Sequence, residues 1–96
     1  MNAVSPFFKT LIILLTLLFA GCAMAPVQEM SDARQAIEAA RQAGAAIHAP
    51  AELTSAEQHL KQAEQALADG DYRLARKEAE TARDEAVVAQ KKALSK

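Results

Sequence analysis

A single cysteine, Cys22, stands in the stretch LLTLLFAGCAMAP (residues 14–26), directly after an oily run and a glycine. The thiolate is the strongest nucleophile among the side chains, and a lone thiol has three fates: burial, an intermolecular disulfide, or covalent modification. The other residues with chemical potential are scattered. His48 and His59 lie eleven positions apart with no cysteine or further histidine at metal-ligand spacing, so they do not read as a zinc site. The pattern places His48 near a helix C-terminus, where positive charge is favoured, and His59 on a solvated face. Asp84 and Glu85 are adjacent and point in different directions on a helix, unlike a general acid and base converging on one substrate. Glu57 and Lys61, four apart, read as a pair on a helix surface. The last eleven residues hold Lys91, Lys92 and Lys96 and no acid, which either complements the helix dipole or meets acidic murein or lipid headgroups. No nucleophile stands with a base, and no glycine-rich phosphate loop occurs. The expectation is a protein that is not an enzyme and uses no cofactor or metal.

The elements that position Cys22 begin at the N-terminus. Met1 to Lys9 carries one positive side chain, Lys9, and Thr10 to Ala20 is an oily run interrupted within by Thr16. These are the first two regions of a secretory signal peptide. Spanning a bilayer takes about 20 apolar residues, more than this run supplies. Phe19-Ala20-Gly21-Cys22 resembles the lipobox of bacterial lipoproteins. The resemblance implies a diacylglyceryl group on the Cys22 sulfur, cleavage just before Cys22 and membrane lipid as the first partner. Ala23, where an Asp favours inner-membrane retention in that group, implies lipid anchoring in the cell outer membrane, facing the periplasm. The domain reading is therefore a signal peptide over residues 1–21, a lipidated tether over 22–29 and a helical domain over 30–96.

Eleven Lys plus Arg nearly cancel twelve Asp plus Glu, so the chain lacks the basic footprint of a nucleic-acid binder. The aromatics are Phe7, Phe8, Phe19 and Tyr72, and the three Phe precede Cys22. From Met30 onward apolar or small residues recur at three-four spacing. The seams are Met30, Ala33, Ile37, Ala40, Gly44, Ile47; then Leu53, Ala56, Leu60, Ala63, Leu67; then Tyr72, Ala75, Ala79, Ala82, Ala86, Ala89, Ala93. The spacing predicts helices over about 30–48, 50–69 and 71–95. Ser31 or a neighbour is expected to cap the first, Pro50 to open the second, and Asp69-Gly70-Asp71 to end the second and cap the third. The connections are too short for parallel neighbours. The fold class is all-α, a short antiparallel up-down-up three-helix bundle, or a long helical hairpin plus an N-terminal helix. Ile37, Ile47, Leu53, Leu60, Leu67 and Tyr72 are expected to supply most of the stability, and Gly44 to allow close backbone approach or to act as a hinge.

The third helix is the longest, so its distal part is expected to overhang its neighbours and seek another surface. Val87 and Leu94 line up beside the alanine seam, and Leu74 with Val88 forms a line facing away from it; these four are the candidate surface for a protein partner or self-association. Pro50-Ala51-Glu52-Leu53, Asp69-Gly70-Asp71-Tyr72-Arg73-Leu74-Ala75 and the following Ala79, Ala82 and Ala86 resemble the alanine-rich envelope lipoproteins grouped as domain of unknown function 4398. That resemblance implies an envelope location and no specific activity. The Gly-Asp-Tyr turn also resembles part of a tetratricopeptide repeat, an architecture of several 34-residue units for which this chain has little room. The leading expectation is a lipid-anchored, non-catalytic interaction or structural protein of the bacterial cell envelope. The alternative, from a layout similar to the murein lipoproteins, is a peptidoglycan tether through Lys91, Lys92 and above all Lys96.

Overall fold

A computed structural model describes residues 25–96 together with Thr10. Among the described residues four helices follow one another: α1 Val27–Gln42, α2 Ala45–His48, α3 Pro50–Ala68 and α4 Tyr72–Leu94. The long three run up, down and up, and α4 packs along both α1 and α3, which touch each other less. The fold is an all-α bundle.

Each boundary has a local cause. α1 begins earlier than the seam pattern predicts, at Val27, taking three residues of the expected tether. Pro26 occupies the N-cap position and its carbonyl accepts from the Met30 N–H at 3.0 Å. The fixed φ of proline favours a helix start. Ser31 therefore does not cap; it lies within the helix and its hydroxyl accepts from Gln35 Nε2 at 3.0 Å. α3 opens with Pro50 at its first position. It ends in a Schellman turn, with Gly70 N–H donating to Leu67 and Asp71 N–H to Ala66, at 3.1 and 2.9 Å. Gly70 takes φ +81°, and Asp71 then caps α4 by accepting from the Leu74 N–H at 3.1 Å.

The expected continuous helix over 30–48 is broken. Gly44 adopts φ +91°, a left-handed conformation open to glycine at little cost, and its N–H turns back to the Arg41 carbonyl. The break resets the rotation of the chain. Ala45 and Ala49 turn inward, while Ile47, placed on the seam by its spacing, is 79% exposed. α2 and the α2–α3 corner close over the distal part of α4. Ala45, Ala49 and Leu53 share a core cluster with Ala86, Ala89 and Ala93, so the expected overhang is largely covered.

The core joins large side chains from two helices to small ones from the third. Met30 and Ile37 of α1 and Leu53 of α3 are buried, while Leu60 and Leu67 are partly so. α4 buries Ala75, Ala79, Ala82, Ala86, Ala89 and Ala93. Tyr72, expected in the core, is 39% exposed because it stands one turn before the buried seam begins. Leu60 packs against both halves of the core.

Ala82 is fully buried, whereas Arg83 is partly exposed beside Asp84. In the fragment Val27–Lys96, Ala82→Trp is expected to destabilise by about 1–3 kcal/mol or more through overpacking, and Arg83→Trp by less. Thermal melts followed by circular dichroism measure the difference; equal midpoints would contradict the seam.

Candidate functional site

Antiparallel packing gives the bundle two ends with different surfaces. At the first end the start of α1 meets the start of α4: Glu29 accepts from Arg76 Nε at 3.2 Å, and Met30 clusters with Ala79. The α3–α4 turn, Asp69-Gly70-Asp71, lies at this end. At the second end α2 and the start of α3 meet the end of α4, fixed by Lys92 Nζ donating to Glu52 at 2.9 Å. The 23 residues of α4 separate the two ends by about 34 Å at ~1.5 Å per residue.

The first end is the one nearest Cys22 along the chain. Cys22 and Ala23 lie outside the described residues. Pro26 is buried, and Val27 beside it is 70% exposed. Tyr72 and Leu74 are also exposed here. Asp71, Arg73, Leu74 and Lys77 border one shallow surface hollow. Asp71 is engaged as the cap of α4, and Asp69 accepts from Gln65 Nε2 at 3.2 Å.

The structure divides the three candidate lysines. Lys92 is held by Glu52, and this hydrogen bond, with the ammonium charge behind it, lowers the Glu52 carboxyl from its ordinary value. Lys91 and Lys96 are exposed and make no ion pair among the described residues. Leu94, 68% exposed, and Ile47 lie at this same end. The candidate partner surface is divided as well. Val87 is half-buried, which interrupts the line with Leu94. Leu74 and Val88 are exposed but sit about 21 Å apart along α4 at ~1.5 Å per residue, so the four residues do not form one patch.

Ion pairs stitch every pair of long helices. Arg34 reaches Glu64 at 3.4 Å and Arg41 reaches Glu57 at 2.5 Å, both between α1 and α3. The Glu57 carboxylate, more than that of Glu38, raises the Arg41 guanidinium above its ordinary value. Glu57 thus turns to α1 and away from the expected Lys61. His59, expected on a solvated face, is partly buried between α3 and α4, with Nδ1 2.6 Å from Glu78 Oε2. Its partner lies nineteen positions away on another helix, beyond the reach of a single helix's spacing. His48 ends α2 and is exposed. Asp84 accepts from Arg83 Nη2 at 2.9 Å. Among the described residues no three His, Cys, Asp or Glu side chains gather to hold a metal ion, and no helix is long and apolar enough to cross a membrane.

The Glu52–Lys92 bond has a pH signature. A carboxyl lowered in the folded state contributes stability above its unfolded value, near 4.5, and loses it as pH falls through the lower folded value. Lys92→Gln is expected to move the Glu52 titration midpoint upward, toward that ordinary value. Carboxyl carbon shifts followed by NMR across the acid range measure this; an unmoved midpoint would mean that the bond is not populated in solution.

The family described as Domain of unknown function (DUF4398) matches residues 28–96. No curated protein and no solved structure matches the chain.

Proposed function

The chain belongs to the family Domain of unknown function (DUF4398), and from that premise and its N-terminal sequence we propose that it is a lipid-anchored, non-catalytic interaction or structural lipoprotein of the bacterial cell envelope. The observation that carries the reading is Phe19-Ala20-Gly21-Cys22 at the end of the oily run. The thiol of Cys22 takes the diacylglyceryl group, and processing makes it the first residue of the mature chain. The family match begins at residue 28, six positions beyond Cys22, and α1 begins at Val27. The arrangement suits an anchor joined almost directly to a helical module. Acyl chains contribute about 0.8 kcal/mol per buried CH₂, and two or more hold a protein stably on a bilayer. Ala23 favours the outer membrane, with the helical domain facing the periplasm.

A second reading, a peptidoglycan tether, draws support from the position of Lys91 and Lys96. They are exposed, free of ion pairs among the described residues, and at the end about 34 Å from the start of α4 by its ~1.5 Å rise. A cationic tip held away from the anchor suits contact with the carboxylates of murein stem peptides. Attachment through the Lys96 amine is the covalent form of this reading.

Two measurements test these readings. Cys22→Ser is expected to abolish labelling by a radioactive or clickable fatty acid and to leave an unprocessed precursor; a serine variant that is still labelled and matured rules out the lipoprotein. Lys91→Glu with Lys96→Glu is expected to reduce co-sedimentation with purified murein sacculi while the helical circular dichroism persists. Unchanged co-sedimentation rules out a charge-mediated murein contact.

A further inference from the structure

Resting on the lipoprotein reading of Cys22, we propose that the end of the bundle formed by Val27, the α3–α4 turn and the first two turns of α4 is a membrane-seating surface, and that its occupant is the headgroup layer of the bilayer holding the acyl anchor. Chain length limits how far this end can stand away. Four virtual bonds join Cys22 to Pro26, and a fully extended chain spans at most ~3.3–3.6 Å per residue, so Pro26 lies within about 14 Å of the acylated sulfur's backbone. Pro26 itself is buried and begins α1, so this limit passes directly to a folded element. Glu29–Arg76 and the core cluster that Met30 shares with Ala79 then bind the start of α1 to the start of α4. The same limit therefore holds the α4 start near the lipid, with the Lys91–Lys96 end about 34 Å further along α4 at ~1.5 Å per residue.

The surface so placed has interfacial chemistry. Val27, Tyr72 and Leu74 are apolar or amphipathic and exposed. Tyrosine belongs at the headgroup level, with its ring toward the acyl boundary and its hydroxyl in water. Arg73 and Lys77 border the same hollow as Leu74 and form no ion pair among the described residues, which leaves both cations for lipid phosphates. Asp71, which caps α4, and Asp69, which accepts from Gln65, keep their charge beside these cations, so this end is mixed in charge. Cations close to an anionic surface add only a modest attraction, so the anchor provides the binding and these residues orient the domain on it.

Tyr72 is the only tyrosine, the chain has no tryptophan, and the three Phe precede Cys22, so the mature protein carries a single intrinsic fluorophore at the surface in question. The mature acylated protein, beginning at Cys22, is reconstituted in phosphatidylethanolamine–phosphatidylglycerol vesicles with or without a headgroup spin-labelled phospholipid. Tyr72 emission is expected to fall strongly with the spin label. In the variant Tyr72→Phe, Leu94→Tyr, which moves the fluorophore to the opposite end at an exposed position, emission is expected to be nearly unchanged. Arg73→Glu with Lys77→Glu is expected to weaken quenching of Tyr72 without releasing the protein. Flotation of the same vesicles reads the anchor separately. Protein that floats with Tyr72 unquenched, or quenched no more than a tyrosine at position 94, overturns the seating and leaves the anchor standing. Protein that does not float overturns the anchor and the seating together.

Discussion

The bundle depends on one packing constraint: every buried position of α4 is alanine. Without large knobs on that helix, its neighbours can approach it toward the close end of the ~8–10 Å interaxial range, and both can do so along its length. The larger side chains must then come from α1 and α3, and they do, with Met30, Ile37 and Leu53 buried and Leu60 at the junction of the two core halves. α4 is therefore a spine against which the others are ordered. An alanine contact buries little area and loses no side-chain rotamer entropy, so the arrangement gains helix propensity in exchange for modest burial.

A thin core makes the ends important. With Glu29 level with Arg76, α1 ends at Gln42 short of the last turns of α4. The left-handed Gly44 ends α1, and the chain folds back through the four residues of α2, bringing Ala45 and Ala49 onto Ala89 and Ala93. The cost is the exposure of Ile47, whose spacing fits a continuous helix and whose position no longer does. At the other end Gly70 and Asp71 make the reverse connection with every exposed turn amide satisfied, and Pro26 closes the start of α1. The two ends thus acquire distinct chemistry: capped carboxylates beside Arg73 and Lys77 at one, free lysines beside Leu94 at the other.

Much of this was legible in the sequence, for identifiable reasons. Three-four spacing over Leu53–Leu67 and Ala75–Ala93 is long and unbroken, so α3, α4 and their buried face follow from periodicity; Pro50 and the Asp-Gly-Asp turn mark their limits. The first helix was less legible because Gly44 satisfies the seam as a small residue as well as it satisfies a left-handed break, and periodicity cannot distinguish the two. Ser31 has the chemistry of a cap, yet the start of α1 is fixed upstream by Pro26. The candidate surface on α4 follows from the spacing of a single helix, whereas Val87 is half-buried in the bundle. His59 and Glu78 are nineteen positions apart, and only the α3–α4 pairing brings them within 2.6 Å.

That last contact shows what an alanine spine leaves undecided. A seam of near-identical small residues looks almost the same after a seven-residue slide, so apolar matching alone ranks neighbouring registers of α3 against α4 nearly equally. Something else must choose among them. The short Schellman turn fixes the α3–α4 connection, and His59–Glu78 and Lys92–Glu52 repeat that registration at the middle and far end of the pair. For α1, which is joined through a more indirect corner, Glu29–Arg76 sets the level on α4, and Arg34–Glu64 with Arg41–Glu57 spans the wider gap to α3. Each exposed pair contributes only about 0–1 kcal/mol, too little to build the fold. A slide by one heptad breaks several of them at once and also misplaces Ile37 and Leu60. The small individual energies therefore act together on the choice between registers, which is where the alanine core is weakest.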